Sequence, residues 1–393
     1  MSGGILGSWY IAGFEGSTHR RADGRRLDLV ATTHHDRFVR RDYQRMRRIG
    51  ITAAREVLRW HLGEPSPGRY DLRFDLPRIR AAAEQGVTVA WDLCHFGWPD
   101  HIDPFGEDFA DRFAAWAHAV ARVLREESDG PHWIAPQNEI SFLAWAGGEV
   151  GVMNPYGRAR GPELKRQLVA AAVGAIDAVR AELPDARFLH PEPLINVAAD
   201  PARPHERHHA AQATEAQFEA WDMLAGRVAP ELGGSERHLD VIGANYYPDN
   251  QWTVGGGRVP DEARVRLSDM LAALHRRYGR PILISETGTE DRARGAWVRE
   301  VSAEVEAARA AGVPMGGICL YPILNHPGWD DDRHCRNGIW DYAGPRGGRR
   351  AHRPLVRHVV ASARQGRRNA AFARNRPAAA VEARRRTDER GTR

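Results

Sequence analysis

Cysteine, lysine and long apolar runs are scarce in this chain of 393 residues. Its three cysteines, Cys94, Cys319 and Cys335, are too scattered for a disulfide framework or a C-x-x-C metal motif. No apolar run reaches the roughly 18 residues that a membrane-spanning helix needs. The first ten residues also lack the pattern of a secretory signal. These absences predict a cytoplasmic protein that has no membrane partner.

Lysine occurs once, at Lys165, so arginine supplies nearly all of the 56 basic residues. Residues 363–393 hold ten arginines and three acids, and their net charge of +7 exceeds the +5 of the whole chain. The remaining residues are therefore mildly acidic, which argues against a nucleic-acid partner. Because residues 363–393 are poor in apolar anchors, they are predicted to form a disordered tail. An anionic partner for this tail is the alternative.

Apolar runs and amphipathic segments alternate along the rest of the chain. In residues 108–125, apolar side chains recur every three or four positions, which is typical of a helix with one buried face. Short apolar runs separate segments of this kind and are predicted to be buried strands. Eight strands of this type indicate a closed (β/α)8 TIM barrel, so residues 1–362 are predicted to form a single domain of this α/β fold. The predicted strands are 7–14, 49–58, 86–93, 133–136, 186–191, 239–246, 281–285 and 315–321.

Two glutamates each follow one of these strand-like runs. Glu139 ends the segment 136–139 (Pro-Gln-Asn-Glu), and Glu286 lies in the segment 284–288 (Ile-Ser-Glu-Thr-Gly). Hydrolysis of a glycosidic bond needs one carboxyl group to protonate the leaving oxygen and another to support the oxocarbenium-like centre from the opposite face. Two glutamates at the ends of two strands of one barrel therefore predict glycosidase chemistry.

The surroundings of the two glutamates predict different roles for them. Glu139 precedes the apolar segment 140–145, an environment that disfavours its charge, so it is the predicted general acid/base. Glu286 lies in a more polar turn and is the predicted nucleophile. Because a nucleophile must stay ionised, it needs positively charged or hydrogen-bonding neighbours.

Arg55 and Tyr247 are the predicted neighbours of Glu286. Arg55 lies within a predicted strand, and Tyr247 follows the strand 239–246, so both fall near strand ends of the barrel. An arginine in this position can hold a carboxylate in its charged form. An ordinary ion pair of Arg55 with Glu56 or another acid is the alternative.

The order of these motifs resembles glycoside hydrolase family 1, the β-glucosidase and β-galactosidase family of the larger clan of retaining (β/α)8 enzymes. The resemblance covers roughly residues 5–345. It implies that Glu139 is the acid/base and Glu286 the nucleophile of a double displacement on a carbohydrate substrate, with no metal and no cofactor. The matching segments are 42–55, 92–99, 138–140, 245–247, 286–288 and 338–342. The implied supporting residues are Arg55 and Tyr247 beside Glu286, Asn138 and His95 at the sugar's 2-hydroxyl and the adjacent hydroxyl, and Asn245 on the acid/base side.

The chain departs from the family in the part of the site that identifies the sugar. After the eighth strand the family has a tryptophan and then a Glu-Trp pair that holds the outer hydroxyls. Here Tyr321, Gly328 and Trp329 occupy these positions, so the carboxylate is missing. Asp330 or Asp331 is the expected replacement.

The family also has a glutamine near the first strand that contacts the same hydroxyls. His19 falls at this position, with Glu15 close by in the sequence. The bond-cleaving part of the site is thus predicted to match the family, and the sugar-identifying part to differ.

Three hypotheses follow from these residues. The first is a retaining β-glycosidase that hydrolyses its substrate. The second, favoured by Gly328, is another member of the same clan that cleaves or transfers oligosaccharides. The third is a sugar-binding barrel without activity, against which the pair of Glu139 and Glu286 argues. The sequence leaves the sugar, the linkage and the oligomeric state open.

Overall fold

The computed structural model of the protein describes residues 3–374. Within this range, eight parallel strands close into a barrel in which each strand pairs with its two neighbours. This arrangement confirms the predicted (β/α)8 fold. The strands are β1 (Tyr10–Gly13), β2 (Ala53–Val57), β3 (Thr88–Asp92), β4 (Trp133–Ala135), β5 (Arg187–Pro193), β6 (Val241–Asn245), β7 (Ile282–Thr287) and β8 (Met315–Leu320).

Helices connect the strands and cover the outside of the barrel. The helix predicted over 108–125 is present as α3, and its apolar residues at three- and four-residue spacing are buried. The longer helices are α1 (His35–Arg48), α2 (Leu76–Gln85), α3 (Phe109–Glu127), α4 (Gly161–Glu182), α5 (Arg207–Glu215), α6 (Glu219–Leu224), α7 (Leu267–Tyr278), α8 (Arg294–Ala310) and α9 (Arg353–Arg374). Short helices span Leu29–Thr32, Trp60–Gly63 and Ile140–Leu143, and small two-stranded sheets join Asn196–Ala198 to Gln251–Thr253, His326–Pro327 to His334–Cys335, and Trp340–Ala343 to Arg349–Ala351.

Alternation along the strands decides which side chains enter the barrel. On β2, Ala53 packs in a cluster inside the barrel, whereas Ala54 packs in the larger cluster under the helices. Arg55 is two positions after Ala53, so it also points inward, at the carboxyl end of the barrel. On β6, Val241 belongs to the inner cluster, and the same period brings Asn245 to the barrel mouth.

A buried ion-pair network next to β2 pairs the charged side chains that lie outside the barrel mouth. Glu56 accepts a hydrogen bond from Arg78 at 2.7 Å and contacts His35 at 3.2 Å. His35 also contacts Asp42 at 3.0 Å. Glu56 is therefore occupied by α1 and α2, and Arg55 is left to the interior of the barrel.

The final helix, α9, runs past residue 362, where the sequence analysis ended the barrel. The rest of the predicted tail, residues 375–393, lies outside the described residues. Within residues 3–374, no helix is long and apolar enough to cross a membrane. In the same range, no group of three or more His, Cys, Asp or Glu side chains is arranged to hold a metal ion.

Candidate active site

Polar side chains line the carboxyl ends of the barrel strands, the end at which barrel enzymes carry their active sites. Glu286 lies near the end of β7, in register with Asn245 at the end of β6. Glu139 follows β4, and its amide donates to the carbonyl of Pro191 on β5 at 2.9 Å. The two glutamates of the sequence analysis therefore lie at one mouth.

Glu286 is buried, with 5 % of its surface exposed, and each of its oxygens has a donor. Arg55 Nη1 donates to Oε1 at 2.7 Å, and the hydroxyl of Tyr247 donates to Oε2 at 2.8 Å. Burial raises the pKa of Glu286, while the charge of Arg55 and the hydrogen bond from Tyr247 oppose that rise. Both donors stabilise the ionised form of this carboxylate.

Asp92, at the end of β3, fixes the guanidinium of Arg55. Its two oxygens accept hydrogen bonds from Nε and Nη2 of Arg55 at 2.9 and 2.8 Å. A third contact, 2.7 Å from Nη2 to Oδ1 of Asn138, completes the arrangement. A bidentate pair of this kind sets the plane of the arginine, so Nη1 remains aimed at Glu286. Sequence reasoning missed Asp92, although its position at the end of a strand is the same signal that marked Arg55.

Glu139 has a different environment from Glu286. It is half-buried, and its Oε1 accepts one hydrogen bond, from the amide of Asn245 at 2.8 Å. Ser285 donates to the other end of the Asn245 amide at 2.6 Å, which fixes that amide's orientation. Burial, and then the nearby charge of Glu286, raise the pKa of Glu139 well above its usual range. The surroundings of Glu139 thus favour its protonated form more strongly than those of Glu286 do.

The backbone of Glu139 is in the left-handed region, with φ of 45°. This conformation is unfavourable for a side chain with a Cβ, and such residues are concentrated at functional sites. The short helix Ile140–Leu143 begins immediately after it. The turn therefore directs the Glu139 side chain toward the barrel mouth instead of along the helix.

Asn138 connects the two sides of the site through its amide. Its Oδ1 accepts from Arg55, which leaves Nδ2 to donate to Nε2 of His95 at 3.1 Å. In the neutral form of His95, Nε2 is then an acceptor and the ring hydrogen is on Nδ1, which contacts Asp92 Oδ2 at 2.9 Å. The hydroxyl of Tyr321 lies 3.3 Å from His95 Nε2, and the two rings are stacked. Asn138, His95 and Tyr321 thus form one hydrogen-bonded wall.

The remaining predicted residues have different positions. His19 is buried and meets the ring of Trp329 edge-on at 5.3 Å, next to Phe96. Asp330 is exposed, and its backbone carbonyl accepts a hydrogen bond from Arg21. The structure therefore brings His19 and Trp329 to the edge of the site, whereas the Asp330 side chain faces solvent.

Two buried glutamates that the sequence analysis did not select also lie near this region. Glu15 follows β1, and its carboxylate lies 4.0 Å from His95. Glu192 is on β5 and accepts a hydrogen bond from the amide of Ser141 at 3.0 Å. Burial raises the pKa of Glu192 to about 7. Both follow the rule that marked Glu139 and Glu286, a glutamate at the end of a buried strand.

No family model and no curated protein matches the chain. Several solved structures match its fold. An AHE enzyme from Alicyclobacillus herbarius has a TM-score of 0.71 at 16 % identity, covering 89 % of this chain and 96 % of that one. A β-glucosidase from Thermotoga maritima in complex with glucoimidazole has a TM-score of 0.70 at 15 % identity, covering 91 % and 98 %. A family 1 β-glucosidase from the same organism has a TM-score of 0.69 at 15 % identity, covering 89 % and 96 %. In fold, therefore, the chain is similar to solved β-glucosidases of family 1.

Proposed function

We propose that this protein is a retaining β-glycosidase that hydrolyses a β-linked glycoside by double displacement, with Glu286 as nucleophile and Glu139 as general acid/base. The observation that carries the proposal is the contrast between the surroundings of two carboxyl groups in one barrel mouth. Glu286 receives hydrogen bonds from a guanidinium and a phenol, and Glu139 receives one from a neutral amide. A general acid and a nucleophile need different pKa values, and these different hydrogen-bond donors act to separate the pKa values of the two glutamates.

The first step of this mechanism forms a glycosyl-enzyme. A carboxylate oxygen of Glu286 attacks the anomeric carbon, the bond from that carbon to the aglycone oxygen breaks, and the proton of Glu139 passes to the leaving oxygen. Arg55 and Tyr247 hold the Glu286 carboxylate in place for attack. In the second step, Glu139 takes a proton from water as the water oxygen attacks the anomeric carbon and releases Glu286.

The charge of Glu286 supports the change of role at Glu139. While Glu286 is ionised, its charge helps to raise the pKa of Glu139, which keeps the acid protonated. Formation of the ester to the sugar removes that charge. The pKa of Glu139 then falls, so the same residue becomes the base that the second step needs.

The fold supports the proposal at a coarser level, because solved structures of similar fold include β-glucosidases. A carbohydrate is accordingly the proposed substrate class. The cytoplasmic location remains a prediction from the sequence.

A second candidate is a clan member that cleaves or transfers oligosaccharides. Trp145 favours it, since this residue is 54 % exposed on the helical segment that follows Glu139 and packs on Phe142 with ring centres 6.0 Å apart. An exposed indole beside the proton donor can stack on a sugar in the leaving group. Comparing kcat/KM for a disaccharide and an aryl glycoside, in the wild type and in Trp145→Ala, distinguishes the two candidates.

The proposed function is tested with a panel of aryl β-glycosides, and with Glu286→Gly and Glu139→Ala. We expect losses of about 10⁴-fold or more for Glu286→Gly and of about 10² to 10⁴-fold for Glu139→Ala. Azide should restore turnover in both, giving an α-glycosyl azide with Glu286→Gly and a β-glycosyl azide with Glu139→Ala. Glu84→Ala, on the outer surface of α2 where it pairs with Arg40, is the control. A wild-type protein that binds sugars but turns over no substrate contradicts the proposal.

A further inference from the structure

Glu15 is a buried charged residue that the proposed mechanism does not use. Only 8 % of its surface is exposed. Its Oε1 accepts two hydrogen bonds from Ser17, at 3.0 Å from the amide and 2.5 Å from the hydroxyl. Among the residues that the structure describes, no donor bonds to Oε2, and this oxygen is not sealed from solvent. Because Oε2 is open to solvent and has no donor within the described residues, it is available to accept a hydrogen bond from a ligand hydroxyl.

The surroundings of Glu15 also favour its ionised form. Burial alone would raise its pKa, but His326, His95 and the hydrogen bonds from Ser17 outweigh burial and hold the pKa of Glu15 below its usual range. The carboxylate is therefore an acceptor with a negative charge and cannot donate at neutral pH.

A series of contacts fixes the position of Glu15 relative to the reacting groups. Asn245 reaches Glu139 at 2.8 Å and Asn138 at 3.5 Å. Asn138 reaches His95 at 3.1 Å, and His95 lies 4.0 Å from Glu15. Along these contacts Glu15 is the group furthest from the proton donor, and its charge acts to raise the pKa of Glu286, so it lies near the pocket beside the proposed nucleophile.

His19 supplies a second unpaired polar atom in the same region. Its ring is buried against Trp329, and its Nδ1 has no hydrogen-bond partner among the described residues. Burial lowers the pKa of His19 to about 4, although the neighbouring Glu15 acts to raise it. The region around Glu15 therefore combines an aromatic ring, an uncharged imidazole and a carboxylate, which is suited to a polar ligand without negative charge.

We propose that Glu15 is a specificity-determining residue, whose Oε2 accepts hydrogen bonds from outer ring hydroxyls of the glycone and whose charge excludes uronic acids. This inference rests on the proposed function, because it presumes a glycoside bound next to Glu286. The substrate class is consequently a neutral glycoside. The carboxylate that the sequence analysis sought at Asp330 is supplied from β1 instead.

The test compares Glu15→Gln with the wild type on 4-nitrophenyl β-glucoside, β-galactoside, β-xyloside and β-glucuronide. The glutamine keeps the size of the side chain and removes its charge. We expect kcat/KM on the best neutral glycoside to fall about 10- to 100-fold, the effect of losing a hydrogen bond to a charged group. The ratio of kcat/KM for glucuronide to that for glucoside should rise at least about tenfold.

Asp330→Asn is the matched control, because it makes the same chemical change on an exposed residue of the adjacent loop. Its kinetics should stay within about twofold of the wild type. Suppose that the wild type is active. If Glu15→Gln leaves its glycoside preferences unchanged, or if Asp330→Asn alters them instead, this inference is overturned and the proposed function stays intact. A wild type inactive on every glycoside refutes the proposed function itself.

A competition assay on the wild type keeps the inference falsifiable if Glu15→Gln does not fold. Glucose and glucuronic acid are compared as inhibitors of the most active neutral substrate at pH 7. We expect glucuronic acid to inhibit at least about tenfold more weakly, because its carboxylate faces that of Glu15. Equal inhibition by the two sugars overturns the inference.

Discussion

Removing the hydroxyl of Tyr247 tests the arrangement around Glu286 with the smallest possible change. In Tyr247→Phe the ring stays and the 2.8 Å hydrogen bond to Oε2 is lost. A hydrogen bond to a charged group contributes about 1.5–3 kcal/mol. If the nucleophile needs this donor for its ionised form and orientation, kcat/KM should fall by about 10- to 150-fold.

The pH dependence of the same variant gives a second readout. The Tyr247 hydroxyl favours the ionised form of Glu286, so its loss raises the pKa of Glu286. Glu286 must be ionised to attack, and the acid limb of kcat/KM should therefore move to higher pH. The basic limb, which reports Glu139, should move much less.

Tyr246→Phe is the matched control for this experiment. Its hydroxyl is one residue away, but it accepts from Gln251 at 2.8 Å instead of donating to the nucleophile. Both variants are assayed across pH with one activated glycoside. Because its aglycone leaves easily, kcat/KM then reports mainly on the attack of Glu286. A Tyr247→Phe profile that matches that of Tyr246→Phe in rate and acid limb would refute this account of Glu286.

Three further predictions follow from neighbouring contacts. Arg55→Lys keeps the charge but loses the planar guanidinium that binds Asp92 and Glu286 together. In steady-state assays kcat should therefore fall about 100-fold or more, whereas the circular dichroism spectrum should stay unchanged. In Glu192→Gln, a like charge near Glu139 is removed, the pKa of Glu139 falls, and the basic limb of kcat/KM should move to lower pH. An unmoved basic limb would show that Glu192 does not act on the proton donor. Arg78→Met leaves the buried carboxylate of Glu56 without its 2.7 Å partner and should lower the free energy of unfolding in urea by about 3–5 kcal/mol; a loss below about 1 kcal/mol would contradict this.

The positions of most residues in the proposed bond-cleaving half of the site could be predicted from the sequence, because strand geometry determines them. Inward and outward side chains alternate along each strand, so a charged or polar residue an even number of positions after an inward one points into the barrel mouth. Arg55 and Asn245 follow this rule from Ala53 and Val241, whereas the irregular register between β6 and β7 brings Glu286 to the mouth three residues after the inward Leu283. Asp92 follows the rule from Ala90, and it was missed because the matching segment 92–99 directed attention to His95.

The sugar-facing half was not predictable in the same way, because loops supply it. Asp330 follows β8 closely enough in sequence to look like a replacement carboxylate, yet the course of its loop leaves the side chain in solvent. Glu15 reaches the site since β1 is short and the chain turns inward directly after it. No period in the sequence encodes the path of a loop, so tertiary contacts decide which candidate enters the site.

The amide of Asn138 has a consequence for how this protein can evolve. One side chain contacts Arg55, His95 and Asn245, which in the proposed mechanism serve the nucleophile, the sugar and the proton donor respectively. Substitutions among residues that share a partner are not additive. A change at His95 that adapts the protein to a new sugar would therefore alter the catalytic groups as well. Epistasis of this kind favours new specificity through residues that reach Asn138 only through another side chain, as Glu15 does through His95.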